Sequence, residues 1–128
     1  PHKPRHTFAQ KRLTELLDAR VEGEGVAYAE LAVETSEGIK VPDVVWISHE
    51  RLDRIPEDAT ASPVMPEICV EVLSRGNSER EMTEKRALYF AHGAREVWLY
   101  DLDGTLRFFD ADGPLDRSTF APTMPTQA

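Results

Sequence analysis

Residues 66–74 read Pro66-Glu67-Ile68-Cys69-Val70-Glu71-Val72-Leu73-Ser74, and this stretch decides the fold. It is a short apolar run that follows a proline and precedes the turn-forming residues Arg75-Gly76-Asn77, a pattern that predicts a buried central strand. A single carboxylate, that of Glu71, lies inside the run. A buried carboxylate is costly unless it is paired, protonated or bound to a metal ion. Glu71 is therefore the first candidate for a functional residue.

A second apolar run carries the second candidate. It reads Val41-Pro42-Asp43-Val44-Val45-Trp46-Ile47 and contains Asp43. If the two strands are neighbours, the carboxylates of Asp43 and Glu71 reach the same point and favour a cation between them. Two carboxylates in apolar strands make a candidate site for a divalent metal. The alternative is that each acid lies at a strand end and is solvated.

Length and composition predict one soluble globular domain. The chain has 128 residues, of which 41% are hydrophobic and 30% are charged. Its apolar runs are shorter than the roughly 18 residues that a membrane span needs. We find no basic segment followed by an apolar one, so nothing predicts secretion. The single cysteine, Cys69, cannot form an internal disulfide and is expected to be a small buried hydrophobe in the reducing cytoplasm.

The net charge of −8 argues mildly against tight binding of nucleic acid by a lone chain. Two segments are nevertheless locally basic. Their Lys and Arg residues are Lys3, Arg5, Lys11, Arg12 and Arg20 in the first, and Arg75, Arg80, Lys85 and Arg86 in the second. A solvated helix face explains these clusters as well as a phosphate-binding surface does.

The chain before the second run predicts a helix and the start of a hairpin. Residues 7–21 are predicted to form the helix, which opens with a Thr7–Gln10 capping box. Its apolar stripe comprises Phe8, Leu13, Leu16, Leu17 and Val21. His6, near the start of this helix, could face the site but is interpreted as a surface histidine.

Residues 26–35 and 39–47 are predicted to form two strands joined by a turn at Glu37-Gly38. Glu30 lies on the less apolar face of the first of these strands. A single helical turn over 49–54 is expected next, before a proline-rich loop leads to the central strand.

The chain after the central strand predicts a helix and a second hairpin. Ser78 and Glu81 form a capping box that opens a helix running to about His92. Residues 94–102 and 105–110 are predicted to be strands, joined by the turn-forming pair Asp103-Gly104.

The predicted order is α-β-β-(α)-β-α-β-β, which indicates an α/β (α+β) fold with a mixed sheet flanked by helices. We expect one domain over residues 1–112 and a loosely ordered C-terminal tail over residues 113–128. The strand at 105–110 is expected to be an edge strand that could pair with a second chain.

The helix after the central strand places Glu81, Lys85 and Tyr89 on one face, at positions i, i+4 and i+8. Lys85 could therefore point at the two carboxylates and carry an ammonium group beside a phosphate. The alternatives are an ordinary surface pair of Glu81 with Lys85 and a purely capping role for Glu81.

Four motifs together resemble the restriction-endonuclease-like family of the PD-(D/E)XK nuclease superfamily. Their order and spacing, over about residues 5–110, carry the resemblance. They are Val41-Pro42-Asp43, Pro66 to Ser74, Lys85-Arg86-Ala87-Leu88-Tyr89 and Gly93-Ala94-Arg95-Glu96-Val97-Trp98-Leu99-Tyr100-Asp101. The fold that the resemblance implies is a mixed β-sheet flanked by helices.

The resemblance also implies roles for individual residues. Asp43 and Glu71 would hold the metal, with help from the carbonyl of Val72, and Lys85 would be the catalytic lysine. The superfamily usually places this lysine two residues after the acid, where this chain has Leu73. Lys85 would be its equivalent, supplied by the next helix. The candidate auxiliary residues are Glu30, Glu81 and Tyr89.

Three functions follow from these residues, the third of them a metal-dependent hydrolase that acts on another phosphoester. The first is a metal-dependent endonuclease that hydrolyses phosphodiesters of nucleic acid, with DNA as the expected substrate and Mg²⁺ or Mn²⁺ as the cofactor. The second is a nuclease-like fold without catalytic activity that serves as a binding or dimerising module. A homodimer is an expectation of the second function.

Overall fold

A computed structural model describes residues 3–128 of the chain, so Pro1 and His2 of the predicted domain lie outside it. The described residues form helices and strands in the predicted order, with additional short strands. In chain order these are α1 (Pro4–Arg20), β1 (Gly25–Ala29), β2 (Val33–Thr35), β3 (Gly38–Lys40), β4 (Val44–Ser48), α2 (His49–Leu52), β5 (Ile68–Val72), α3 (Glu79–Ala91), β6 (Glu96–Tyr100), β7 (Leu106–Asp110) and β8 (Gly113–Leu115).

The main sheet has six strands in the order β1-β4-β5-β6-β7-β8, and β2 pairs with β3 in a separate two-stranded sheet. Strand β5 lies inside the main sheet, antiparallel to β4 and parallel to β6. The unit β5-α3-β6 supplies the parallel pair of the main sheet among residues 3–128, with α3 as the crossover that returns the chain in the same direction. The predicted mixed sheet flanked by helices is confirmed.

The two faces of β5 are covered by different helices. Ile68, Val70 and Val72 share a core cluster with Leu13 and Leu17 of α1. Cys69, on the opposite face, packs with Tyr89 of α3. Each fully buried leucine contributes on the order of 2 kcal/mol to folding. The buried helices thus fix both faces of the strand that carries Glu71.

Helix α1 differs from its prediction at its start. It begins at Pro4, a residue favoured in the first helical turn, and its N-cap Lys3 makes no side-chain capping bond. The predicted Thr7–Gln10 capping box is therefore wrong. Phe8, predicted to belong to the apolar stripe, is 70% exposed. The buried face contains the predicted Leu13 and Leu17 together with Ala9 and Gln10.

Helix α3 follows its prediction closely. The Ser78 hydroxyl accepts from the Glu81 amide, and the Glu81 carboxylate accepts from the Ser78 amide, which completes the predicted capping box. The helix ends before Gly93, whose φ of 110° is a conformation that glycine tolerates best. The helix therefore starts and stops where local signals place it.

The first predicted hairpin is interrupted in both strands. The strand predicted over 26–35 breaks at Glu30, a non-glycine residue with a positive φ of 60°. The strand predicted over 39–47 breaks over residues 41–43, which include Asp43 and Pro42, a residue without an amide proton to donate. Both breaks lie beside Asp43, so they shape the candidate site.

The C-terminal segment differs from the expected loosely ordered tail. Residues 113–115 form β8, which pairs with β7, so the strand predicted at 105–110 is not an edge strand. Beyond it, Ala121 and Met124 are buried against the α1 face of the sheet. This segment closes the core through spaced single residues rather than a periodic run, which explains why the sequence pattern did not predict it.

Within residues 3–128, no helix has both the length and the apolar character required to cross a lipid bilayer.

Candidate functional site

Strand register brings Asp43 and Glu71 together. Strands β4 and β5 pair Val44 with Val70, so Asp43 and Glu71 are the next opposing positions at the end of this ladder. The amide of Asp43 donates to the Oε2 atom of Glu71 over 3.2 Å. Two carboxylates that the sequence separates by 27 residues are thus adjacent in space.

The side chain of Asp43 occupies the place where the ladder ends. Its Oδ2 atom accepts from the Val72 amide at 2.8 Å. The chain before β4 is not a strand, so this side chain accepts a hydrogen bond that a strand's backbone carbonyl would otherwise take. Its Oδ1 atom lies 3.3 Å from the Nε2 atom of His6, whose side chain is largely buried. His6 therefore faces the site, and its interpretation as a surface histidine is wrong.

Gln10 and Glu30 hold the backbone carbonyl of Asp43. Its carbonyl accepts from the side-chain amide of Gln10 at 2.9 Å and from the backbone amide of Glu30 at 3.2 Å. The same Gln10 amide donates to the Glu30 carboxylate at 3.0 Å. Glu30 has a left-handed backbone conformation where its amide donates to the carbonyl of Asp43. Such strain commonly occurs at functional sites.

Lys85 reaches the site from α3. Its Nζ atom lies 2.9 Å from the Oε1 atom of Glu71, and the lysine is half-buried whereas the carboxylate is buried. Leu73, which occupies the superfamily's usual lysine position, lines the same cleft. The structure therefore brings Asp43, Glu71 and Lys85 together.

Burial and like charge destabilise the ionised form of Glu71. Burial, followed by the charge of Asp43, raises its pKa to about 7, although the charge and hydrogen bond of Lys85 partly oppose this. Burial alone would lower the pKa of Lys85, but the charge of Glu71 and the hydrogen bond to it outweigh burial and raise it. Lys85 is therefore protonated at neutral pH, where Glu71 is close to its titration midpoint.

The candidate auxiliary residues lie at different distances from this centre. Tyr89 is buried, and its pKa is raised first by burial and then by the charge of Glu71, so its phenol stays neutral. Glu30 is linked to Asp43 through Gln10. Glu81 caps α3, accepts from the side chain of Asn77 at 3.5 Å, and its charge helps to raise the pKa of Lys85.

Asp43 and Glu71 line a cleft of about 860 Å³ whose other charged lining residues are basic. The basic residues are Lys3, Arg5, Arg75 and Lys85. They come from both of the locally basic segments, so the folded chain concentrates positive charge at one place despite its net charge of −8. Such a cleft attracts phosphates.

The donor set of the cleft suits a hard divalent cation better than zinc. Within residues 3–128, no group of three or more His, Cys, Asp or Glu side chains is arranged to hold a metal ion. Mg²⁺ is commonly bound through one or two carboxylates, with water and substrate phosphates as the other ligands. The adjacent oxygens of Asp43 and Glu71 fit that pattern, and a cation between them would relieve the repulsion that raises the pKa of Glu71.

Comparison with known proteins gives the family and the fold of the chain. Residues 1–112 match the Uma2 family model, described as "Putative restriction endonuclease". The chain belongs to this family. Among solved structures it is similar to a "putative nuclease belonging to DUF820" from Anabaena variabilis, with a TM-score of 0.72 at 20% identity over 98% of this chain and 79% of that chain. A search of curated proteins found no match. The resemblance to a restriction-endonuclease-like family, drawn from the four motifs, is confirmed, and so is the fold that it implied.

Sequence reasoning missed two contributions to the site. Gln10 was assigned to a helix cap, and its burial on the face of α1 that packs on the sheet was not recognised. The convergence of Lys3, Arg5 and Arg75 on one cleft depends on the tertiary fold. A signal was available for Gln10 only: it lies three residues before Leu13 and seven before Leu17, which is the spacing of one helix face.

Proposed function

We propose that this Uma2 family member is a metal-dependent nuclease that hydrolyses phosphodiesters of nucleic acid, with DNA as the expected substrate. Asp43 and Glu71 would hold Mg²⁺ or Mn²⁺, with the Val72 carbonyl as a further ligand. The observation that carries the proposal is the meeting of Asp43, Glu71 and Lys85 in a cleft with basic walls. The family description and the nuclease-like fold support it.

The cation, Lys85 and the arginines of the cleft would each have a different part in phosphodiester hydrolysis. A bound divalent cation would supply Lewis-acid chemistry, lowering the pKa of a bound water and offsetting charge on the scissile phosphate. Lys85 would stabilise the pentacovalent oxyanion with its ammonium group. Its raised pKa favours this role over that of a general base, because a base must first lose its proton. Arg5 and Arg75 would bind flanking phosphates.

Titration with Mg²⁺ and Mn²⁺ tests the metal ligands. Asp43→Asn is expected to weaken Mn²⁺ binding by about 100-fold, because it removes a ligand charge while keeping an oxygen that can accept from the Val72 amide. Isothermal titration calorimetry measures the affinity, and circular dichroism checks the fold. The exposed Asp58→Asn is the matched control and should bind as the wild type does. No binding by the wild type, or equal binding by Asp43→Asn, would remove the metal from the proposal.

The affinity for Mn²⁺ is also expected to depend on pH. Because the pKa of Glu71 is raised to about 7, a proton competes with the cation below that pH and is released on binding. The apparent affinity should therefore rise about tenfold per pH unit up to about pH 7 and then level off. Calorimetry from about pH 5.5 to about pH 8.5 measures this slope. His6→Asn, which removes the imidazole beside Asp43, should keep the slope; its loss in that variant would assign the proton to His6 instead.

The alternative is a binding or dimerising module without catalysis. It is favoured by one observation: the Lys85–Glu71 pair and the Val72–Asp43 bond satisfy these groups without a cation. Dimerisation by strand pairing has little support at the sheet edges. The Ala27 amide of β1 donates to the Asp18 carboxylate at 2.9 Å, and β8 contains Pro114, which has no amide proton. The cytoplasm as the setting stays a prediction for either function.

A further inference from the structure

A second, smaller pocket opens beside the cleft along α1. It measures about 220 Å³ and is lined by Arg5, Phe8, Ala9, Arg12, Tyr100 and Leu102. Arg5 and Leu102 also line the cleft that holds Asp43 and Glu71. The two depressions are therefore adjacent, and the smaller one lies beside the proposed active-site cleft along the helix.

Phe8 is the most exposed large apolar residue of the described chain, with 70% of its surface open to solvent. It does not join the core that the spacing of α1 predicted for it. Leu102, on the other side of the pocket, is 40% exposed. An exposed apolar patch framed by polar residues commonly marks a binding site, so the exposure of Phe8 calls for a partner with an apolar face.

The charged frame of this pocket indicates the chemistry of that partner. Arg5, Phe8 and Arg12 lie on the same side of α1, because residues three and four apart share a helix face. Along residues 3–128, neither Arg5 nor Arg12 forms an ion pair, whereas Lys11 of the same helix pairs with Glu15 at 3.7 Å. An apolar ring between two unpaired guanidinium groups complements a flat base flanked by phosphates.

We infer that this pocket binds an unpaired base of single-stranded nucleic acid, with Phe8 as the stacking platform and Arg5 and Arg12 on the neighbouring phosphates. The inference rests on the proposed function for its ligand class and deepens it. The base must be unpaired, because the faces of bases in a duplex are already stacked on their neighbours. The substrate would then be a single strand, or a duplex with an unpaired segment that enters the cleft.

Fluorescence anisotropy with a labelled oligothymidylate of about 12 nucleotides tests this inference, with a duplex of equal length for comparison. Both are measured in EDTA, so that binding does not depend on a metal or on cleavage. Phe8→Ala should weaken binding of the single strand about tenfold and leave duplex binding unchanged, since stacking on one aromatic ring accounts for a loss of that size. Phe8→Trp should bind the single strand at least as well as the wild type.

Tyr28→Ala is the matched control, because Tyr28 is a 58% exposed aromatic residue that lines neither depression. It should bind the single strand as the wild type does. The inference is overturned if the wild type binds no single strand, if Phe8→Ala binds it as the wild type does, or if that variant loses single strand and duplex alike. Circular dichroism establishes that each variant is folded.

The outcomes separate this inference from the proposed nuclease activity. Binding that depends on Phe8, in a protein that cleaves nothing with Mg²⁺ or Mn²⁺, would defeat the nuclease proposal and keep the base pocket. Cleavage by a protein whose single-strand binding does not depend on Phe8 would keep the nuclease proposal and defeat the base pocket.

Discussion

Lys85→Met is expected to lower the rate constant for phosphodiester cleavage by about 10²- to 10³-fold, the usual effect of removing one charge-stabilising donor. Methionine keeps the apolar stem of the lysine and removes only the ammonium group that lies 2.9 Å from Glu71. Single-turnover cleavage of a labelled oligonucleotide with saturating protein and Mg²⁺ measures the rate constant. Arg75→Met is the matched control from the same cleft and should raise the protein concentration needed for half-maximal cleavage while the rate constant at saturation changes little.

An indirect effect of Lys85 has to be separated from a direct one. Lys85 lowers the pKa of Glu71, so its loss raises the fraction of Glu71 that is protonated at neutral pH. If that were the whole effect, the rate of Lys85→Met would recover as pH rises, because Glu71 would ionise again. A direct role predicts a deficit that persists from about pH 7 to about pH 9. Cleavage by Lys85→Met at the wild-type rate throughout this range would contradict the role of the lysine, and absence of cleavage by the wild type would favour the binding module.

Much of the fold could be predicted because its decisive signals are local. The apolar run at 66–74, the Ser78–Glu81 capping box and the stop at Gly93 each depend on a few adjacent residues, and each is where the sequence indicated. The meeting of Asp43 with Glu71 was one of two alternatives that the sequence left open, and the register of β4 and β5 brings the two residues together. What the sequence predicted well is therefore what neighbouring residues determine.

The features that the sequence did not predict depend on long-range packing. Phe8 fits a helical apolar stripe, but the sheet contacts a face of α1 that lies one residue further on, at Ala9. Gln10 is buried because Asp43 and Glu30 offer it partners from other elements. No glycine or proline next to Glu30 predicts the break in the strand there. Periodicity gives the spacing of a buried stripe more reliably than its exact rotation.

Glu96 shows that a buried carboxylate in an apolar strand need not be a functional residue. It is also a carboxylate inside an apolar strand, and it is buried more deeply, with 1% of its surface exposed. Yet it lies outside the lining of the cleft, and its partners are structural: Trp98, Ser118 and Thr119 donate to it. Position in a cleft and a neighbouring like charge therefore distinguish Glu71, whereas burial alone does not.

Glu96→Ala is expected to lower the free energy of unfolding by about 3 kcal/mol, because it leaves buried donors without an acceptor and creates a cavity. The donors are the Trp98 indole at 2.9 Å, the Ser118 hydroxyl at 2.6 Å and the Thr119 amide at 2.7 Å. A loss of this size corresponds to a fall of roughly 10 °C in Tm for a domain of this length. Urea denaturation followed by circular dichroism measures the change.

Two further variants show whether the lost hydrogen bonds are the cause. Glu96→Gln keeps one acceptor oxygen and should lose about half as much stability, whereas Glu84→Ala, which removes an exposed i,i+4 pair with Arg80, should change it by less than about 0.5 kcal/mol. Because Glu96 holds the segment around Ser118 against β6, Glu96→Ala should also make residues beyond 113 sensitive to protease before the whole domain unfolds. Equal stability of Glu96→Ala and Glu84→Ala would mean that the C-terminal segment is held by the apolar contacts of Ala121 and Met124 instead.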